Sequence, residues 1–291
     1  MVPSQLVLRA AVLGSPVAHS LSPVLHRAAY ASLGLTGWQY DAIEVREHEL
    51  GDRVAAFGDE WRGLSLTMPL KEAAFAVAET VTELATRAGA INTLVRRPDG
   101  GWDGHNTDVQ GIVEALRPAL AEVGQPAPRH GLVLGAGATA RSALLALAEL
   151  GVSELVVAAR DIARAQASVG GLAEGLGLST RYVPLGEWPD VVADVAISTL
   201  PPTGARAASE VLVARGTVGT SAVPVLLDVV YADWPTPLAD AATVSGTRVV
   251  GGLAMLVHQA VAQVALMTGH RPDPQVLLAA GQAALAARGT A

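Results

Sequence analysis

Six small residues carry the most legible chemistry in this chain. Gly135-Ala136-Gly137-Ala138-Thr139-Ala140 follows the apolar run Leu132-Val133-Leu134 and precedes a stretch with neither Gly nor Pro until Gly151. The string fits G-x-G-x-x-G/A, and its context, strand before and helix after, is what a dinucleotide site requires. Gly135 permits the tight turn, Gly137 lets the backbone approach a pyrophosphate, and Ala140 permits close packing of helix on strand. The helix start then offers unpaired N–H groups and a positive dipole end to the phosphates. A tight turn in an Ala- and Gly-rich chain would use the same small residues; the flanking strand and helix favour the ligand. The next apolar run, Leu155–Ala159, ends in Arg160-Asp161, with Arg164 one helical turn on. Guanidinium groups match phosphate geometry, so Arg160 and Arg164 favour the 2′-phosphate of NADP, unless they are ordinary surface charges. Asp161 would suit an unphosphorylated ribose and keeps NAD open.

A second set of polar residues lies at the C-terminal ends of apolar runs in the first third of the chain. These are Ser20-Leu21-Ser22-Pro23, Leu66-Thr67-Met68-Pro69-Leu70-Lys71, Gly89-Ala90-Ile91-Asn92-Thr93 and Gly104-His105-Asn106-Thr107-Asp108. Ligands of open α/β sheets collect outside those strand ends. Other chemistries are disfavoured. The seven histidines are scattered without H-x-x-x-H or H-E-x-x-H spacing, so no metal site is expected. There is no cysteine for a thiolate site or a disulfide, and no G-x-S-x-G elbow for a hydrolase.

The elements that must position these residues alternate between strand and helix. The apolar pattern reads as strand over Val7–Leu13, helix from Ser22 to Gly34 with Ser22 as N-cap and Pro23 at the first helical position, and strand over Trp38–Val45. Helix over Glu47–Phe57, strand over Gly63–Met68 and helix over Pro69–Ala78 follow, then a hairpin of Ile91–Arg97 with Trp102–His105. A long helix opens at Asn106-Thr107-Asp108 and runs to about Gly124. After a connector, the series strand Gly131–Leu134, helix Ala138–Leu150, strand Leu155–Ala159 and helix Ile162–Leu176 begins, continued by strands near Arg181–Pro184, Val195–Ser198 and Val225–Val230. The last 40 residues read as helices separated by Pro272-Asp273-Pro274. This is α/β alternation with largely parallel sheets.

At 291 residues the chain is long enough for two domains. With 51% hydrophobic and 16% charged residues it can bury a sizeable core, and a net charge of −7 argues against a nucleic-acid partner. No secretory leader is evident, and the lack of cysteine suits a reducing cytoplasm. The charge-free stretch Val249–His270 has the length of a membrane span. Gly251-Gly252, His258, Gln259 and Gln263 make it better read as a buried amphipathic helix, with no membrane partner. The sequence does not set the oligomeric state; a homodimer is compatible with it.

Taken together and in order, these motifs resemble the shikimate dehydrogenase family. The resemblance covers most of the chain: Gly14 to Pro23, the Thr-x-Pro-x-Lys of 67–71, Gly-Ala-Ile-Asn-Thr at 89–93, Asn-Thr-Asp at 106–108, the glycine turn, Asp228–Tyr231 with Thr236-Pro237-Leu238, and Gly252 to Gln259. It implies an N-terminal α/β substrate domain, about 1–106 completed by 250–291, and a Rossmann-type dinucleotide-binding domain of about 107–249. It implies NADP-dependent interconversion of 3-dehydroshikimate and shikimate, a small-molecule substrate. Ser20 and Ser22, helped by Tyr231, would bond the substrate carboxylate. Thr67, Asn92 and Gln259 would hold the ring hydroxyls, Lys71 and Asp108 would be the catalytic pair, and the nicotinamide would lie between domains near Gly252 and Met255.

Hydride transfer to a carbonyl leaves an alkoxide unless a proton arrives, so a general acid must sit within hydrogen-bond reach. A lysine serves if its pKa is brought down from about 10.4. A carboxylate neighbour alone would raise it, so Asp108 is better cast as an orienting, proton-sharing partner, with desolvation on domain closure lowering the lysine. Taken singly, each of these residues also has an ordinary structural reading. Ser22 would serve as a helix cap, Lys71 as a solvated side chain, Asp108 as a first-turn acid, Asn92 as a turn residue, Gln259 as a buried polar group and Tyr231 as core. The chain departs from the family at Ser65, where Asn is usual, at Ala159-Arg160-Asp161 in place of Asn-Arg-Thr, and at Ser198-Thr199-Leu200-Pro201 in place of Asn-Ala-Thr-Ser. An NAD-preferring quinate/shikimate dehydrogenase and a non-catalytic nucleotide sensor are the alternatives. The Ser20/Ser22 pair favours shikimate over quinate, and a sensor has no need of a proton donor.

Overall fold

The computed structural model describes residues 7–216 and 222–289; residues 1–6, part of the stretch read for a secretory leader, lie outside them. Two compact units form, one drawn from Met1–Asp108 and Leu256–Ala291, the other from Val109–Met255.

The first unit holds β1 (Leu8–Gly14), α1 (Ser22–Ser32), β2 (Trp38–Glu44), α2 (Leu50–Ala55), β3 (Trp61–Leu66), α3 (Leu70–Ala73), β4 (Thr80–Val81), α4 (Glu83–Ala88), β5 (Thr93–Arg96) and β6 (Trp102–His105). Its sheet runs β2-β1-β3-β5-β6-β4. The largely parallel sheet expected here is mixed: β5 pairs antiparallel with β6, as the expected hairpin requires, and also with β3, while the other pairings are parallel. The reason is the Asp99-Gly100-Gly101 turn, whose Gly100 takes φ 94° and folds β6 back beside β5. Expected helices over 47–57 and 69–78 are each broken into a 3-10 turn and a short α-helix. Ser22 does not cap α1: the helix starts at Ser22 without a side-chain cap bond, and the Ser20 hydroxyl instead accepts from the Ser22 N–H at 3.2 Å.

The second unit holds most of α5 (Asp108–Glu122), then β7 (His130–Leu134), α6 (Ala138–Leu150), β8 (Glu154–Ala159), α7 (Ile162–Gly175), β9 (Ser179–Pro184), β10 (Val195–Ser198), α8 (Pro202–Arg215), β11 (Val225–Asp228), α9 (Pro237–Val244) and β12 (Arg248–Gly251). All of its pairings are parallel, in the order β12-β11-β10-β7-β8-β9. From β7 the chain winds outward first to one edge and then to the other, which is the doubly wound Rossmann order. Its switch point lies at the end of β7, where the glycine turn follows. The core packs Leu132, Leu134, Ala158 and Ala196 of the strands against Leu212, Leu238 and Ala242 of the helices.

Two long helices end the chain, α10 (Gly252–Thr268) and α11 (Pro274–Gly289). Among the described residues no helix is long and apolar enough to cross a membrane. From Leu256 on, α10 is a buried element of the first unit, with Val257, Val261 and Val264 all at most 2% exposed. Gly63 on β3 makes this packing close, because a Cβ there would sit 2.3 Å from Met267 Cγ. Helix α11 packs on α1, and Arg288 Nη1 donates to the His19 carbonyl at 2.9 Å, which braces the loop carrying Ser20.

Behind that loop, His26 is wholly buried and stacks on Tyr40 with centroids 3.8 Å apart. Its Nδ1 lies 2.9 Å from the Ser22 carbonyl, which can only accept, so Nδ1 carries the proton. Burial lowers its pKa from 6.5 to about 4, outweighing the backbone bond to Ser22 that raises it. The unfolded ring therefore takes up a proton between pH 6.5 and 4 that the folded ring refuses, and stability falls as pH drops through that window. The loss reaches about 3 kcal/mol near pH 4. Thermal midpoints measured from pH 7 to 4 will fall more steeply for the wild type than for His26→Phe, which keeps the stack without the titration. Parallel curves would contradict a buried neutral imidazole.

Candidate active site and dinucleotide turn

The first unit brings one cation and one carboxylate into direct contact. Lys71 Nζ, on α3, donates to Asp108 Oδ2 at 2.6 Å, with side-chain exposures of 17% and 2%. A carboxylate this buried is costly unless every lone pair finds a donor. The second oxygen does: Asn92 Nδ2 donates to Asp108 Oδ1 at 2.8 Å. The Asp108 backbone is fixed as well, its N–H donating to Asn106 Oδ1 at 3.0 Å while Asn106 Nδ2 donates to the Ala90 carbonyl at 2.9 Å. Lysine is thus the half of the pair that still reaches solvent. An ammonium on a buried, braced carboxylate and partly open on its outer side can hand a proton outward and regain it from water.

Asn92 is the hub of this arrangement. Its Oδ1 accepts from the Thr107 N–H at 2.8 Å and from Thr93 Oγ1 at 2.9 Å, and its Nδ2 also faces Gln259 Oε1 at 3.5 Å. Because a backbone N–H can only donate, the Thr107 bond settles which end of the amide is oxygen and leaves Nδ2 toward Asp108.

Thr67 lies just past β3, held by backbone bonds from its N–H to the Leu13 carbonyl (2.9 Å) and from the Ser15 N–H to the Met68 carbonyl (3.1 Å). Ser20 is half-buried and Ser22 is 6% exposed. The Ser22 side chain interacts with the buried Tyr40 hydroxyl, whose proton burial holds firmly in place.

In the second unit Gly135 takes φ 104°, a left-handed conformation that L side chains avoid, and a Cβ there would meet Thr199 Oγ1 at 2.7 Å. Gly137 is the N-cap of α6 in extended conformation, with nothing within 4 Å of where a Cβ would stand and no side chain capping the helix. The turn between Gly135 and Ala140 therefore presents backbone and open space, as a pyrophosphate requires. Ala140 is fully buried against the strand, Ala136 has its carbonyl held by Ser168 Oγ at 2.6 Å, and Ala138 and Thr139 are half-buried in the first turn of the helix. Arg160 and Arg164 are both exposed.

Asp161 has a different task from the one that kept NAD open. It is the N-cap of α7, and its Oδ1 accepts from the Arg164 N–H at 2.9 Å. Tyr231 follows the strand end at Asp228, where Asp228 Oδ2 accepts from Thr236 Oγ1 at 2.6 Å and Thr236 caps α9 through the Ala239 N–H. Burial raises the Asp228 pKa, with the Thr236 bond opposing it. Gly252 admits no side chain, since a Cβ would stand 2.2 Å from the Val229 carbonyl oxygen, and Met255 is buried.

Of the residues singled out from sequence, Lys71, Asp108, Asn92 and Gln259 share one hydrogen-bonded cluster in the first unit. The turn 135–140, Arg160, Arg164, Tyr231, Gly252 and Met255 belong to the second. Sequence reasoning missed Thr93, Thr107 and Gln263 as members of the cluster. The spacing held one signal: Gln259 and Gln263 stand four apart on α10 and so share a face.

Family models and curated relatives point to one family. A model of the shikimate dehydrogenase substrate binding domain matches residues 12–94, and one of the shikimate 5′-dehydrogenase C-terminal domain matches residues 252–280. A shikimate dehydrogenase (NADP(+)) of Methylobacterium radiotolerans is 40% identical over 91% of this chain and 92% of its own. The crystal structure of Mycobacterium tuberculosis shikimate dehydrogenase superposes with a TM-score of 0.83 at 43% identity, covering 95% of this chain and 99% of that one. A Thermus thermophilus shikimate 5-dehydrogenase solved in complex with NADP(H) and shikimate gives 0.77 at 35% identity, covering 96% and 100%.

Two outcomes follow from the second unit's geometry. Gly252→Ala forces a methyl group into a backbone carbonyl that cannot yield, so it will lower both the thermal midpoint and the affinity for NADP in a fluorescence titration; wild-type values for both would contradict the close approach. Asp161→Ala removes a cap and will cost about 1 kcal/mol in denaturant unfolding. Asp161→Thr, which can still cap, will recover most of that loss and bind NADP at least as tightly as the wild type. NAD binding that is lost in the Thr variant would show that the carboxylate reads an unphosphorylated ribose.

Proposed function

The chain belongs to the shikimate dehydrogenase family, and we infer from that premise that it catalyses the reversible NADP-dependent interconversion of 3-dehydroshikimate and shikimate. This is an oxidoreductase step of aromatic amino-acid biosynthesis. The observation that carries the reading is the braced pair, Lys71 Nζ at 2.6 Å from a carboxylate that is itself 2% exposed. A nucleotide sensor of the same fold has no use for a buried proton-holding pair.

The residues present fit the dinucleotide: an open, uncapped helix start at Gly137 for the pyrophosphate, and exposed Arg160 and Arg164 for the 2′-phosphate. When bound there, NADPH would supply the hydride that the reduction needs. Lys71 gives its proton to the carbonyl oxygen as that oxygen gains negative charge, which closes the reduction without a free alkoxide. Asp108 keeps the ammonium aimed and offsets its charge, and Lys71 is re-protonated from solvent through its exposed edge. In the oxidative direction the neutral amine takes the hydroxyl proton. Ser20 and Ser22 bond the substrate carboxylate, while Thr67, Asn92 and Gln259 hold ring hydroxyls. By the family resemblance, Gly252 and Met255 would hold the nicotinamide. We place the enzyme in the cytoplasm, a reading supported by the lack of cysteine.

Absorbance at the nicotinamide band tests this. Shikimate with NADP will give turnover, and Lys71→Ala will lower kcat by about 10²- to 10⁴-fold while shikimate still binds. Near-normal turnover by Lys71→Ala would contradict the assignment of the acid.

A further inference from the structure

The cluster around Asp108 does not end at Asn92. Thr93 Oγ1, which donates to Asn92 Oδ1, accepts from Gln263 Nε2 at 3.0 Å. Gln263 Oε1 accepts from Ser65 Oγ at 2.9 Å, and Ser65 Oγ accepts from the Tyr40 hydroxyl at 2.6 Å. Tyr40, Ser65, Gln263, Thr93 and Asn92 are each at most 4% exposed, so water does not compete for these bonds. The path joins three strands and a helix: β2 for Tyr40, β3 for Ser65, α10 for Gln263, and the start of β5 for Thr93 with Asn92 just before it.

The path also has one direction. Gln263 Nε2 lies 3.4 Å from the Asn92 backbone carbonyl, which can only accept, so that end of the amide is nitrogen and the other is oxygen. Ser65 must then give its only proton to Gln263 Oε1, and Thr93, receiving from Gln263, must give its own to Asn92 Oδ1. Burial keeps the Tyr40 phenol protonated, so it remains the donor at the far end. Each link orients the next, and the last presents Asn92 Nδ2 to Asp108.

We propose that Gln263 is a positioning residue for the proton-transfer pair: its amide polarises a buried hydrogen-bond chain, Tyr40–Ser65–Gln263–Thr93–Asn92, that together with the Thr107 N–H fixes which way Asn92 faces and so holds Asp108 beneath Lys71. This rests on the reading of Lys71 and Asp108 as that pair. It also gives Ser65 a role in this chain, since a hydroxyl that accepts from Tyr40 and donates to Gln263 is consumed within the protein. A buried polar network of this kind is fully satisfied or costly, and reversing one link reverses those after it.

Thr93→Val removes one donor at nearly constant shape, and Thr93→Ser restores it. Gln263→Leu removes the amide, while Gln263→Glu puts oxygen where nitrogen faced the Asn92 carbonyl and turns the Thr93 proton away from Asn92. Steady-state kinetics with shikimate and NADP, normalised to folded protein, will show kcat reduced about tenfold in Thr93→Val, Gln263→Leu and Gln263→Glu. The KM for shikimate will change less than about threefold, and the pH profile of kcat will be displaced by about half a unit or more. Thr93→Ser will return both kcat and profile to near wild type. A lowered thermal midpoint with wild-type kcat and pH profile would overturn the proposal, as would a raised KM at unchanged kcat. Lys71→Ala run beside them separates the two failures: an inactive Lys71→Ala with a normal Thr93→Val overturns the positioning chain alone, whereas an active Lys71→Ala removes the pair beneath it.

Discussion

A carboxylate at 2% exposure is the constraint around which the first unit is arranged. Left unpaired, the Asp108 charge would be expelled or neutralised. It is retained because one oxygen takes a lysine ammonium, the other an amide N–H, and the backbone above it is tied to Asn106. The energetic risk of burying charge is offset by geometry, and geometry is what a proton donor needs. The lysine cannot wander, since its partner cannot.

Sheet topology supplies the brace. Because β5 returns antiparallel between β3 and β6, the start of β5 and the end of β6 adjoin, and Asn92 and Thr107 meet although 15 residues separate them. The close approach of α10 over Gly63 then lays Gln259 and Gln263 along the same seam. In the second unit the parallel order places the glycine turn at the strand-order switch, where the Gly135 N–H still bonds the Ala158 carbonyl of β8 at 2.9 Å and the chain then turns into the helix start at Gly137. The first unit thus fixes an ammonium on a buried carboxylate, and the second, by itself, opens a helix start that suits a dinucleotide.

The readability of the sequence varied with the range of the forces at work. The helix Ala138–Leu150 and the strand Val195–Ser198 carry strong local patterns and occur as expected. Short elements such as α4 and β4, and the Ala-rich α8, were not anticipated, since few residues and small side chains leave little periodicity. In α4 the caps were nonetheless written: Thr82 accepts from the Ala85 N–H and Gly89 closes at φ 58°. Ser22 followed by Pro was a plausible cap that failed because the Leu25 N–H it would have taken bonds the Leu21 carbonyl at 3.1 Å instead. Asp161 was ambiguous in one dimension, since a cap and a ribose ligand want the same carboxylate. The hydrogen-bond partners of Asn92 come from positions as distant as Gln259, and no local pattern announces contacts of that span. Resemblance to a family supplied the candidate catalytic pair; only the folded structure reveals the hydrogen-bond chain behind it.

The central claim is that the Asp108-bound ammonium of Lys71 faces the oxygen that gains or loses a proton. A crystal structure of the protein with shikimate and NADP bound tests it most directly. The account predicts Lys71 Nζ about 3 Å from the hydroxyl oxygen on the carbon facing the nicotinamide, with the Asp108 bond retained. A hydroxyl bonded to other groups, with Nζ turned to solvent and Asp108 alone, would contradict it.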